Sequence, residues 1–252
     1  MSQRMLASLI AQLTIVLGLL LAPPARAQHK VDLAQLIRET QQQSGEPRNL
    51  AFVWWIPVEF WEVSLTANGA LTPQQIERFS KVVGAYFIVA AVDGTIGPMG
   101  GADFISEPDL RAKIKLVDSK GRSYVPIADE KISSDMRNLT QVMRPMFTNL
   151  MGPLGANIRF FMFPTRDAEG REIANPRAAG SFDVMLGERR FHWRLPLGSL
   201  VEAKVCPEDG EVLNGAWSYC PWHGTKLKAQ GAPATEEKKS AAQPPKQEPV
   251  HQ

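Results

Sequence analysis

Short apolar runs set in adjacent pairs, with turn residues between the members of each pair, dominate this 252-residue chain. Ala112 to Val117 alternates apolar and polar residues, Asp118-Ser119-Lys120-Gly121 makes a turn, and Tyr124-Val125-Pro126 follows, which predicts a hairpin. Ser181 to Leu186, a turn at Gly187-Glu188 and Arg190 to Leu195 predict a second. Tyr86 to Val92 (YFIVAAV) is apolar throughout and reads as a strand buried on both faces, and Ile158 to Phe163 as another. Leu50 to Leu65 is aromatic and β-branched, which predicts one or two strands broken at Pro57. Strands that neighbour one another in sequence pair antiparallel, and no βαβ alternation is present.

Helical signals are fewer. Val31 to Gln43 carries a weak helical period that ends toward Ser44-Gly45 and Pro47. Thr72 is an N-cap with Pro73 at the first helical position and Gln75 completing a capping box, so a helix to about Val83 is expected. Ser133 or Ser134 caps a third, containing Met136, Leu139, Val142 and Met143, with an interruption expected at Pro145. The fold class is therefore mainly β within α+β. It is expected to be an antiparallel β-sandwich-like body with two or three short helices and no internal repeat. The runs from Ala112 to Leu200 suit an immunoglobulin-like packing of two sheets.

The first residues read as an address. Arg4 precedes an apolar run densest from Leu13 to Leu21, Pro23-Pro24 ends it, and Ala25-Arg26-Ala27 supplies the small residues of a cleavage site before Gln28. A signal peptide over residues 1–27 implies an exported chain, periplasmic or secreted, with no stable membrane span after cleavage. No Cys follows the run, which argues against a lipid anchor. Residues 1–27 hold Arg4 and Arg26 and no acidic residue, so 26 of the 28 basic side chains remain against 26 acidic ones. A near-neutral chain has no electrostatic reason to bind nucleic acid, and that class is excluded. At 44% hydrophobic and 21% charged the chain has the material for a core, which rules out a wholly disordered protein.

Residues 206–227 (CPEDGEVLNGAWSYCPWHGTKL) carry the clearest chemistry. Two similar turns, Cys206-Pro-Glu-Asp209-Gly210 and Cys220-Pro-Trp-His223-Gly224, each hold two ligand-capable residues three apart, followed by a Gly that supplies positive φ. The segment resembles the zinc ribbon, whose usual form is a CPxCG knuckle, a short hairpin and a CPxCGTxL knuckle. The resemblance implies a structural zinc held by Cys206, Asp209, Cys220 and His223. Asp209 and His223 stand where the family has Cys, so the fourth ligand is Asp209 or a water. Two other readings stay open. A Cys206–Cys220 disulfide would close a loop of about fifteen residues and stabilise by about 3 kcal/mol, and it would exclude a metal. CPWHG also resembles the second box of Rieske iron–sulfur proteins, but the first box needs Cys-x-His and position 208 is Glu208.

Elsewhere the expected roles are plain. Trp54, Trp55, Phe60 and Trp61 beside Glu59 and Glu62 suggest a carbohydrate site, yet on a strand the two carboxylates point to opposite faces, and core packing is the expected role of the rings. His192 shares a solvated strand face with Arg194. Gly94 to Gly101 reads as a loop without the lysine of a phosphate loop, and Asp167 with Glu169 falls short of a calcium loop. Met136, Met143, Met146 and Met151 cluster as core fillers rather than copper ligands.

The expected organisation is a signal peptide (1–27), a β-rich body (28–200), a zinc-ribbon-like module (201–228) and a disordered tail (229–252). The expected function is an exported, non-catalytic binding or scaffolding protein with a structural zinc knuckle and a protein or envelope partner. The alternative is a hydrolase of an envelope or extracellular polymer that draws on Glu59, Glu62 or His192. Mass spectrometry of exported protein should find a chain beginning at Gln28 or its pyroglutamate form. Intact protein retaining Met1 in the membrane fraction would refute the cleavage.

Overall fold

Helix α1 (Leu33–Thr40) starts where Asp32 accepts from the backbone N–H groups of Ala34 and Gln35, and it passes directly into strand β1 (Gln41–Gln43). The computed structural model describes residues 31–69 and 71–230; the expected signal peptide and the expected tail from residue 231 onward lie outside the described residues.

Strand β2 (Phe52–Ile56) ends at Pro57, and from there the chain departs from expectation. Val58–Asn68 is a helix, α2, not a second strand. Pro57 sits at its N-cap with extended backbone, and Gly69 closes it at φ +62°, a left-handed conformation favoured by Gly. The aromatic, β-branched composition that signals a strand is overruled here by packing, since a helix lays Trp61 onto the face of a sheet. Helix α3 (Pro73–Val83) is as expected. Thr72 accepts from the Gln75 N–H at 3.3 Å, and the Gln75 side chain accepts from the Thr72 N–H at 2.8 Å.

Strand β3 (Phe87–Val92) follows, then a small hairpin of β4 (Gly94–Ile96) and β5 (Ala102–Phe104) in place of the plain loop expected there. Helix α4 (Glu107–Lys113), capped by Ser106, leads into strand β6 (Ile114–Asp118), which forms the first expected hairpin with β7 (Ser123–Tyr124). Helix α5 (Ser134–Asn157) is capped by Ser133. It carries Pro145 within it, and its non-helical backbone lies instead at Gly152, next to Pro153. Strand β8 (Arg159–Phe163) precedes a long loop and the second expected hairpin, β9 (Gly180–Leu186) with β10 (Arg189–Leu195). The class is α+β with antiparallel sheets, and the described residues hold five α-helices rather than two or three.

Three layers result. The central sheet has the order β1-β2-β3-β8, antiparallel throughout. Its register aligns Trp55, Val89 and Phe161 on one face and Trp54, Ala90 and Phe160 on the other. The first face packs against a second sheet, β10-β9-β6-β7, through Phe182, Val184, Phe191 and Trp193. Trp55, Phe87, Phe182 and Trp193 form a continuous aromatic stack across this interface, with centroids 4.7–5.5 Å apart. The second face is covered by Trp61 of α2, Val83 of α3 and Met136, Met143 and Phe147 of α5.

Two five-residue turns of one sequence form, Asp118-x-x-Gly121-Arg122 and Asp167-x-x-Gly170-Arg171, lock the hairpin β6–β7 to the long loop. In each, Asp Oδ1 accepts from the backbone N–H groups two and four residues on, and the Arg Nε donates to Asp Oδ2. Arg122 then reaches across to Asp167 and Glu169, both at 2.6 Å. The Asp167 side chain is only 3% exposed. Burial acts to raise its pKa, but Arg122 and the N–H and guanidinium of Arg171 outweigh it and hold the carboxyl well below the usual range.

A folded-state pKa below the unfolded value contributes stability that is complete above about pH 4 and is lost as pH falls further. Asp167→Asn is therefore expected to lower the melting temperature at neutral pH. The gap to the parent protein should narrow below about pH 4; a gap independent of pH would refute the assignment.

Candidate metal centre

After Leu200 the chain forms a small sheet of β11 (Lys204–Val205), β12 (Val212–Leu213) and β13 (Lys228–Ala229), in the order β12-β11-β13. Ala229 pairs with Lys204, so the last described strand takes in the first residue assigned to the tail. Cys206, Leu213, Cys220 and Leu227 form the buried hydrophobic cluster of this sheet. One close approach seats this unit on the body, Gly198 against Asn214, and a second, Gly215 against Glu202, lies within it. A Cβ at Gly198 would lie 2.1 Å from the Asn214 side chain, and one at Gly215 would lie 2.1 Å from the Glu202 carbonyl oxygen.

The two turns read from the sequence have the same backbone. The N–H of Gly210 donates to the Cys206 carbonyl and that of Gly224 to the Cys220 carbonyl, both at 2.9 Å. The N–H of Cys206 donates to Glu211 O at 2.9 Å and that of Cys220 to Thr225 O at 2.8 Å. Each turn thereby aims its cysteine into the gap between them.

His223 Nδ1 stands 3.4 Å from Cys206 Sγ and 3.5 Å from Cys220 Sγ, and all three donor atoms lie within 4.8 Å of one another. A tetrahedral zinc at about 2.3 Å from sulfur and about 2.0 Å from nitrogen would separate S and N by about 3.5 Å. The observed spacing is that edge. Both cysteines are buried and free, so the sulfurs are not joined in a disulfide. The single imidazole is one short of the pair that a Rieske cluster needs.

Asp209 stands apart from this group. Its Oδ1 accepts from the Glu211 N–H at 3.0 Å, and Oδ2 lies 3.8 Å from His223 Nδ1. That N–H is the main cause of its lowered pKa, with burial opposing. For Cys206, burial acts to raise the thiol pKa, but the N–H groups of Glu208 and Asp209 and the Thr225 hydroxyl prevail and lower it. The His223 pKa is raised, first by its contact with Cys206 and against burial. Both shifts favour the charged form, a thiolate at Cys206 and an imidazolium at His223, so a metal would find its thiolate ready and would have to displace the imidazole proton.

The three residues of the hydrolase alternative do not line one pocket, although Glu59 and Glu62 are neighbours one turn apart on a helix. Glu59 and Glu62 lie on helix α2, not on the opposite faces of a strand. Glu59 lines a cavity of about 310 Å³ beneath the β8–β9 loop, whereas Glu62 lines a separate groove between α2 and α3. His192 is on the outer face of the second sheet, with Nδ1 2.6 Å from Asp183 Oδ1. Asp167 and Glu169 are taken up by arginines. Thr225 beside Cys206 was not singled out in the sequence, although it is the Thr of the CPxCGTxL pattern.

No known protein family, curated protein or solved structure matches the chain. No described helix is long and apolar enough to cross a membrane.

Gly224 has φ +66° and open space around its missing Cβ. Gly224→Ala should therefore weaken the second turn by about 1 kcal/mol through backbone strain alone, read as faster amide exchange over residues 220–225. Unchanged exchange would show that the turn does not need Gly.

Proposed function

We propose that residues 204–229 hold a structural zinc ion through Cys206, Cys220 and His223, with Asp209 or a water as fourth ligand. We propose further that the chain is an exported, non-catalytic binding or scaffolding protein. The observation that carries the metal reading is the placement of one imidazole nitrogen at zinc-edge distance from two buried sulfurs. Two thiolates and an imidazole suit zinc, whereas magnesium and calcium prefer oxygen. A hydrophobic cluster of four residues is too small to hold three two-residue strands together, so a metal cross-link between the two turns would supply folding energy directly. Asp209 reaches the fourth position only by a shift of Oδ2, because Oδ1 is tied to its own turn. The non-catalytic reading is supported by the position of His192, on the second sheet and away from Glu59 and Glu62.

Natively exported protein is expected to contain one equivalent of zinc and, once chelated, two titratable thiols. His223→Ala should weaken zinc binding by more than the about 10- to 100-fold typical of outer-shell changes, with both thiols intact. Asp209→Ala with zinc retained would assign the fourth position to water. Protein with neither metal nor free thiol would overturn the zinc reading in favour of the disulfide, and reductant would then loosen this segment where chelator does not.

A further inference from the structure

Glu59 enters its cavity with one oxygen partnered and one not. Oε1 lies 3.6 Å from Arg177 Nε, while Oε2 is buried and has no hydrogen-bond partner among the described residues. An unpaired buried acceptor is destabilising, and a donor from outside the fold would satisfy Oε2. The carboxyl pKa is raised, chiefly by burial.

The space before it, about 310 Å³, is at the lower end of small-molecule sites, about 300 Å³. Trp55, Tyr86 and Pro176 contribute apolar wall. Thr165 contributes a hydroxyl, and the half-exposed Arg177 stands at the mouth. Arg177 Nη1 donates to Leu200 O, while its Nη2 and Thr165 Oγ1 have no protein partner among the described residues. The charges already balance in pairs, Arg166 with Glu172 at 3.2 Å and Arg177 with Glu59. A net charge brought into this space would meet no counterpart. A hydroxyl, in contrast, donates to Oε2 through its hydrogen and accepts through its lone pairs.

We propose that this cavity binds a small uncharged polyol the size of one sugar ring, which donates to Glu59 Oε2 and accepts from Arg177 and Thr165. The site deepens the binding half of the function proposed above and does not depend on the metal. The roof of the cavity is the β8–β9 loop, fastened by the Arg122 contacts to Asp167 and Glu169, so the walls are set before a ligand arrives.

The test is titration of the full-length protein with D-glucose and N-acetylglucosamine, followed by NMR shifts of residues 55–59 and 165–177. Ethylammonium and glycine serve as charged and zwitterionic comparisons. Saturable binding of a sugar in the millimolar range is expected, weakened about tenfold in Glu59→Gln, where an amide N–H confronts the donated hydroxyl. Thr165→Val, a near-isosteric change on the opposite wall, should weaken binding by a smaller factor and decides the matter should the first variant fold poorly. No saturable shift with either sugar, equal affinity in Glu59→Gln, or preference for ethylammonium or glycine would overturn the proposal. Zinc measured on the same samples separates the two readings, because sugar binding lost with zinc retained refutes only the cavity.

Discussion

All six side chains of strand β3 are withdrawn from water, three on each face of the central sheet. A sheet buried on both sides must find a cover for each, and the rest of the architecture follows from that requirement. One face takes the second sheet, whose strands alternate buried and solvated side chains because water lies beyond them. The other takes α2, α3 and α5. Burying a large apolar side chain contributes about 1.5–3 kcal/mol. The aromatic stack from Trp55 to Trp193 supplies several such side chains to one interface. Arg122 adds to this by fixing the β8–β9 loop against the β6–β7 hairpin.

The body and the C-terminal unit are held on different terms. The body has two extensive apolar clusters, whereas the unit after Leu200 has a cluster of four residues, two of them cysteines. Seating by Gly198 against Asn214 orients that unit without giving it a core. The metal cross-link proposed between its two turns would supply stability that so small a core does not.

What the sequence disclosed follows from the range over which each signal acts. Thr72, Pro73 and Gln75 act within one turn of helix, and the hairpins at Asp118–Gly121 and Gly187-Glu188 need only their own turn residues, so all were legible. The paired Cys turns were legible for the same reason. Helix α2 was not, because Val58 to Leu65 has the composition of a strand and its conformation is chosen by the sheet it covers. Its local signs, Pro57 before it and Asn68-Gly69 after it, were present but outvoted. Helix α4 offered Ser106 as N-cap, Pro108 in its first turn and Asp109 returning to the cap, and its seven residues were too short to show a period. The Arg122 contacts and the Glu59 cavity join residues far apart in sequence, and no local pattern announces them.

The difference between the two Cys turns decides the character of the proposed metal site. Their backbones match bond for bond, yet the fourth residue of one is His223, whose nitrogen reaches the two sulfurs, and that of the other is Asp209, whose carboxylate is half committed to the Glu211 N–H. A longer side chain spans the gap and a shorter one stays at the rim. Zinc in such a site would have three firm ligands and a fourth, harder oxygen ligand that exchanges more readily than a thiolate. The sulfurs, at 0% and 2% exposure, are shielded from solvent by the turns themselves, while His223 and Asp209 remain accessible. Exchange at the metal would therefore proceed from the His223–Asp209 side, leaving the thiolates last to be released.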